Sequence, residues 1–211
     1  MSLDTKKIID ITPRINAKMA VYPGDTPFQE DFLLDFKHGH NLTLSTIKTT
    51  VHLGAHTDAP SHYHPMGEPI DRRKLNYYLG KVQVIEVKLK KNARILPNDF
   101  ADEIKAPRVL FKTGSYPDPY NWNDDFMSLS GGLVEFLHSK SVILIGIDTP
   151  SVDPFDDKKL ESHNAIYKHD MAVLEGIVLD HVKPGIYELV ALPLNIEGAD
   201  ATPVRAVLLE E

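Results

Sequence analysis

Four side chains able to bind a metal or carry a proton, His52, His56, Asp58 and His62, fall within residues 52–62 of a 211-residue chain. Neutral imidazole and ionised carboxylate are ligands for zinc, iron or manganese, so this stretch is the first place to look for chemistry. A helix would put His52 and His56 on one face, but Gly54 and the pair Ala59-Pro60 oppose a helix here. On a straight strand a four-residue step covers roughly 13 Å, too far for donors that must each lie about 2 Å from one ion. The backbone therefore has to bend between the histidines. Gly54, which accepts positive φ, is the residue suited to that bend, and Pro60 stiffens the exit. The stretch reads as a strand running into a coiled ligand loop. Burying two imidazoles and a carboxylate without compensation is costly, which makes a cation their natural partner.

The elements around this loop follow from pattern. Leu42 to Val51 alternates apolar and threonine positions in a β-like way and is expected to deliver His52 at its end. Further along, a helix from Lys158 to about Lys168 carries His163, and a β-rich run from Met171 to Leu179 carries Glu175 among valines, leucine and isoleucine. On one continuous helix His163 and Glu175 would stand about 18 Å apart, so they can share a site only if the chain reverses near His169-Asp170. Ser141 to Ile147 is an almost wholly apolar run, as expected of a central strand covered on both faces. Asp148 at its carboxyl end is either a functional group or a cap for the next turn. Strands are also expected over Lys7–Thr12, Lys81–Leu89, Arg108–Lys112, Tyr187–Leu192 and Val204–Leu209. A helix is expected around Leu133–Leu137, and short helical pieces over Arg72–Leu79 and Asn98–Lys105. Tyr22, held beside the Pro23-Gly24 turn, lines a pocket or packs; Trp122, in the loop from Tyr116 to Asp124, lies over a pocket or covers a sheet edge. His64 is expected at the solvent surface.

No internal repeat, low-complexity tract or linker divides the chain, and strands mixed with helices point to one α/β domain over residues 1–211 built on a mixed sheet. A formal net charge of −7 and a pI near 5.8 give no basic footprint, so no nucleic acid and no membrane partner is expected. Zero cysteines leave any metal to His, Asp and Glu and are compatible with a reducing compartment. The opening residues lack an apolar core of the signal-peptide kind, and no apolar run is long enough to span a bilayer, which makes the cytoplasm the expected location.

The pattern His52-x-Gly54-x-His56-x-Asp58-x-Pro60-x-His62 resembles that of the metal-dependent cyclase family of hydrolases, and the whole chain resembles the bacterial kynurenine formamidases within it. Tyr22-Pro-Gly-Asp-Thr-Pro-Phe28, Gly146-Ile-Asp-Thr-Pro-Ser-Val-Asp-Pro154, His163 with Glu175, Leu179-Asp-His181 and Thr202-Pro-Val-Arg-Ala-Val207 carry the likeness from end to end. The resemblance implies a swivelling β/α/β fold, a homodimer or higher assembly, and two divalent ions per chain, zinc or alternatively manganese. It implies one ion on His52, His56 and Asp58, another on Asp58, His163 and Glu175, and His62 as acid/base. The activity implied is that of an arylformamidase, hydrolysing N-formyl-L-kynurenine in tryptophan degradation, with an aromatic amide as the small-molecule substrate. Two positions depart from the pattern: Tyr22 stands where these formamidases place a substrate-stacking tryptophan, and Ala55 where threonine is usual. The ligands are untouched, so the departures bear on substrate, and another amide, a cyclic amide such as isatin, or a lactone stays open.

Two other readings of the same residues remain. His56-x-Asp58 with His163 could form an iron facial triad of the oxygenase kind, which leaves His52 and Glu175 without a role. A metal-stabilised binding protein without turnover would need closed coordination and would have no use for His62.

Overall fold

The computed structural model describes residues 7–210. In chain order the elements are β1 (Lys7–Asp10), β2 (Gln29–Leu34), β3 (Leu44–Lys48), β4 (His56–Asp58), the single-turn helix α1 (Pro60–Tyr63), β5 (Leu79–Glu86), β6 (Arg94–Ile95), β7 (Arg108–Lys112), β8 (Ser128–Leu129), α2 (Gly131–Ser139), β9 (Leu144–Ile147), α3 (Glu161–Lys168), β10 (Ala172–Leu174), β11 (Gly185–Val190), β12 (Ala201–Pro203) and β13 (Val207–Glu210). Seven strands form one mixed sheet in the order β1-β13-β11-β5-β7-β9-β10. From β5 to β10 neighbours run parallel; from β1 to β5 they run antiparallel. The expected class, α/β on a mixed sheet, is the one observed.

The parallel half is buried on both faces, and the pleat sorts its side chains. Val84, Leu110, Leu144 and Leu174 enter one apolar cluster, while Ile85, Phe111, Ile145 and Val173 enter the other. Successive residues therefore face opposite ways and both are apolar, which is why β9 reads as an almost wholly apolar run. One face is covered by α2 and α3 through Leu133, Val134, Leu137, Ala165 and Ile166. On the other face Ala55, Ile177, Leu179 and Val204, which flank β4, β10 and β12, pack against the sheet. The second layer thus carries the ligand loop directly onto the end of the parallel strands.

Several local expectations give way to tertiary contacts. Leu42–Val51 is strand only over β3, so His52 follows a coil rather than a strand end, and β3 pairs with the unforeseen β2 in a separate hairpin. Part of the ligand loop is itself strand, β4, because β12 supplies a partner for it. Asn98–Lys105 is not helical: Gln83 holds it extended, donating to Glu103 O at 3.0 Å and accepting from Lys105 N at 2.8 Å. Arg72–Leu79 forms two separate 3-10 turns, Ile70–Arg72 and Leu75–Tyr77, and not one helix. Met171–Leu179 is strand only to Leu174, where the chain turns off the sheet.

Candidate metal centre

The centre is assembled where β4 meets the chain leaving β10. Strand alternation puts His56 and Asp58 on one face, while Thr57 between them points the other way and donates to Val173 O at 2.6 Å. His56 and Glu175 form a two-way backbone bridge, His56 N to Glu175 O at 3.0 Å and Glu175 N to His56 O at 2.9 Å, which sets Glu175 beside the β4 ligands. Two glycines permit this approach. Gly54 has φ +58° and makes the bend between His52 and His56; Gly176 has φ +65°, and a Cβ there would lie 2.1 Å from Gly54 O. His163 comes in from α3, whose first turn is capped by Asp153 through the N–H groups of Ser162 and His163, each at 3.0 Å.

These five residues converge. His52, His56 and Asp58 form one group and Asp58, His163 and Glu175 a second, each with one ligand atom per residue within 4.8 Å of the others. Asp58 Oδ1 lies 3.0 Å from His52 Nδ1 and 3.5 Å from His56 Nε2, while Oδ2 lies 3.5 Å from His163 Nε2. Glu175 spans the same way: Oε2 is 3.2 Å from His56 Nε2, and Oε1 is 3.7 Å from His163 Nε2. Donors bound about 2.1 Å from one tetrahedral ion must stand about 3.4 Å from each other, so the spacings match a shared cation. Asp58, Glu175, His56 and His163 are buried and His52 is half-buried.

Each imidazole uses its two nitrogens differently. The outward nitrogens are hydrogen-bonded: His52 Nε2 to Asp200 Oδ2 at 3.1 Å, His56 Nδ1 to Gly54 O at 2.9 Å, and His163 Nδ1 to Asp153 Oδ2 at 2.8 Å. The inward nitrogens are close to carboxylate oxygens, yet Asp58 Oδ1 and His163 Nε2 are buried with no hydrogen-bond partner among the described residues. Proximity without alignment is what lone pairs aimed at a common point produce, and an orphaned buried polar pair is otherwise costly. The residues present fit a metal.

Electrostatics agree. Burial pulls the His52 imidazole pKa down, but the Asp58 carboxylate beside it and the hydrogen-bonded Asp200 outweigh it and bring it to about 9. Burial likewise opposes protonation of His163, and Asp153, Asp58 and Glu175 overcome it to reach about 10. For Asp58 burial acts upward, yet the imidazoles of His163, His52 and His56 crowded around it hold it well below the usual carboxylate range. A field that holds protons on imidazoles this firmly is one that attracts cations.

His62 sits on α1 at the rim. Its ring centroid is 4.2 Å from that of His52, and Nδ1 is 3.3 Å from Asp200 Oδ2. His52, His62 and Asp200 form a third group of ligand type. This one is open to solvent and its contacts are aligned hydrogen bonds, so it reads as a hydrogen-bonded cluster and not a closed ion site. Asp200 had no local signal in the sequence; it arrives because β12 pairs with β4, Ala201 opposite Asp58.

The centre lies at the floor of a cavity of about 520 Å³. Its aromatic wall includes Tyr22, half exposed, with ring centroids 5.7 Å from Trp122 and 5.2 Å from Phe155. Trp122 thus lines the cavity together with Tyr116 and Phe126, whose rings pack edge-on against it. Burial pushes the Tyr116 phenol up to about 12, so it stays a neutral donor. Asp148 also borders the cavity, but its oxygens are taken by Thr113 Oγ1 at 2.6 Å and the N–H groups of Thr113 and Gly114 at 2.8 and 2.9 Å: it is a turn cap. His64 is not free at the surface; it is half-buried and stacks on Tyr167 with centroids 3.7 Å apart, outside the centre.

Residues 9–154 match the "Cyclase" family model. Kynurenine formamidases from Bordetella petrii and Bordetella pertussis are 41% and 42% identical over 207 residues, 97% of this chain and 99% of theirs. A solved structure described as a potential metal-dependent hydrolase with cyclase activity superposes with a TM-score of 0.85 at 25% identity, covering 98% of this chain and 99% of that one. Isatin hydrolase A from Labrenzia aggregata shares the fold, with a TM-score of 0.78 at 19% identity over 97% of this chain and 93% of that one. With a family match over more than half its length and relatives this similar across nearly all of it, the chain belongs to the Cyclase family.

Proposed function

We propose that this chain is a metal-dependent hydrolase of C–N bonds outside peptides, an arylformamidase that converts N-formyl-L-kynurenine to kynurenine and formate. The observation that carries the reading is the divided use of the imidazoles, one nitrogen of each tied back and the other turned on the Asp58 and Glu175 oxygens. His52, His56 and Asp58 would hold one divalent ion and Asp58, His163 and Glu175 another, zinc by their tetrahedral donor spacing, with manganese as the alternative. When bound, such ions supply a water nucleophile at neutral pH and draw charge from an amide carbonyl. His62, oriented by Asp200 and facing the cavity, donates the proton that the departing arylamine needs as its C–N bond breaks. Tyr22, Trp122 and Phe155 offer apolar rings against which an aryl group can pack.

The test is hydrolysis of N-formyl-L-kynurenine, simple aryl formamides and isatin by protein of measured metal content. Turnover of the formamides with close to two zinc or manganese ions per chain is expected. One iron per chain and no hydrolysis of any of them would sink the reading. Tyr22 in place of a larger indole leaves room at the wall, so isatin is included as the cyclic amide arm.

The reading extends to assembly in a cytoplasmic setting. The β2/β3 hairpin stands apart from the main sheet and exposes Phe32 (54%), Leu33 (73%), Phe36 (65%) and Ile47 (64%). An isolated two-stranded hairpin is marginal in water, and an apolar patch of this kind marks a contact surface; a second copy of the chain is the occupant we infer. Sedimentation should give a dimer, and Leu33→Asp with Ile47→Asp should shift it to monomer.

A further inference from the structure

Asp153 is the most heavily used buried carboxylate among the described residues. It is fully buried. Oδ1 accepts from Ser162 N at 3.0 Å and from Arg94 Nη1 at 2.9 Å. Oδ2 accepts from His163 N at 3.0 Å and from His163 Nδ1 at 2.8 Å. Four donors therefore close on two oxygens. Arg94 is itself held by Asp157, so the Arg94-Asp153 pair cannot swing away without breaking a second ion pair.

A carboxylate flanked by three other N–H donors can only accept, so the Nδ1 of His163 must carry the proton. In the neutral ring that a metal requires, Nε2 then presents the lone pair, and that atom is the one left without a partner beside Asp58 and Glu175. The other two histidines are held less firmly. His56 leans on a backbone carbonyl, Gly54 O, and His52 on Asp200, whose side chain is 49% exposed and whose Oδ2 is shared with His62. We propose that Asp153 is a positioning residue that locks His163 as an Nε2 ligand and thereby makes the Asp58-His163-Glu175 group the tighter of the two cation sites. The proposal rests on the metal-centre reading above. It goes further in ranking the two sites and in naming the residue that ranks them.

Asp153→Asn makes the discriminating change. An amide has one oxygen where four donors converge, so in either orientation its NH2 faces two of them. With the NH2 toward His163 the imidazole proton moves to Nε2 and the lone pair is lost to the site. Zinc titration with a competing chelator is read on wild type and variant. Wild type should take two zinc ions, and the variant should lose about 10- to 100-fold in affinity for one of them while keeping the other, the scale on which outer partners act. Arg94→Met, which leaves the His163 contact in place, should keep both. Two ions bound by Asp153→Asn with wild-type affinities would overturn the proposal. A wild type that binds no second ion would overturn the metal-centre reading, and this proposal with it. Because Asp153 also caps α3, the variant could lose its fold; the zinc-loaded wild type then decides by long-range proton–nitrogen NMR of His163. A proton on Nδ1 supports the assignment, and a proton on Nε2 refutes it.

Discussion

At the scale of single residues, the proposed roles separate groups that would hold a metal from one that would move a proton. His56 and Asp58 are buried and face Glu175 and His163 at the floor of the cavity. His62 is on the cavity side with an exposed edge and a hydrogen bond to Asp200. His62→Ala should therefore retain metal and lose about 10²- to 10⁴-fold in kcat, the usual worth of a positioned acid or base. His56→Ala should lose metal. Metal analysis beside steady-state kinetics separates the two, and near-normal turnover in His62→Ala would remove it from the reaction. Tyr22→Ala should act mainly on KM, since its ring touches Trp122 and Phe155 and not the ligands. That His52, His56 and Asp58 converge was legible in the sequence because groups of ligand type are chemically rare and densely spaced there. Asp200, Asp153 and Phe155 were not, since a lone aspartate or phenylalanine in a loop looks like any other.

At the scale of elements, the centre depends on a backbone contact that only glycines allow. Gly176 packs so that a Cβ would meet Gly54 O at 2.1 Å, and both take positive φ. Gly176→Ala has to push the ligand loop away from β10 and hold alanine in a left-handed conformation, a strain of about 1–3 kcal/mol before the clash is counted. It should lower Tm and metal content together, although no ligand is altered. Calorimetry with metal analysis checks this, and an unchanged metal content would show that β4 is held by β12 alone. The bend at Gly54 could be inferred from spacing. The matching bend at Gly176 could not, because it answers to a carbonyl more than a hundred residues earlier in the chain.

At the scale of the whole molecule, the centre joins the early loop, α3 and the end of the sheet, so metal binding and folding are linked. His52 and His163 have folded pKa values raised to about 9 and about 10 from 6.5. In metal-free protein a raised histidine contributes stability that is fully present below 6.5 and is lost as pH rises through 9 to 10. Metal replaces those protons and binds more tightly as they leave. Chelation should therefore lower Tm by a margin that widens from pH 6.5 to pH 9.5. A margin that stays constant or narrows, read by thermal unfolding with and without chelator, would contradict the linkage.

By itself the sequence determined which side chains of ligand type stand together at 52–62, the bend that had to lie between His52 and His56, and the doubly covered central strand ending at Ile147, because each depends on neighbours within a few residues. Only the tertiary structure decided that Glu175 leaves the sheet to bridge His56, that Asp153 and Asp200 stand behind the histidines, and that Trp122 faces the cavity. Such placements are set by strand pairing and backbone packing between distant segments, and local composition carries no record of which partner a carboxylate or an indole will meet.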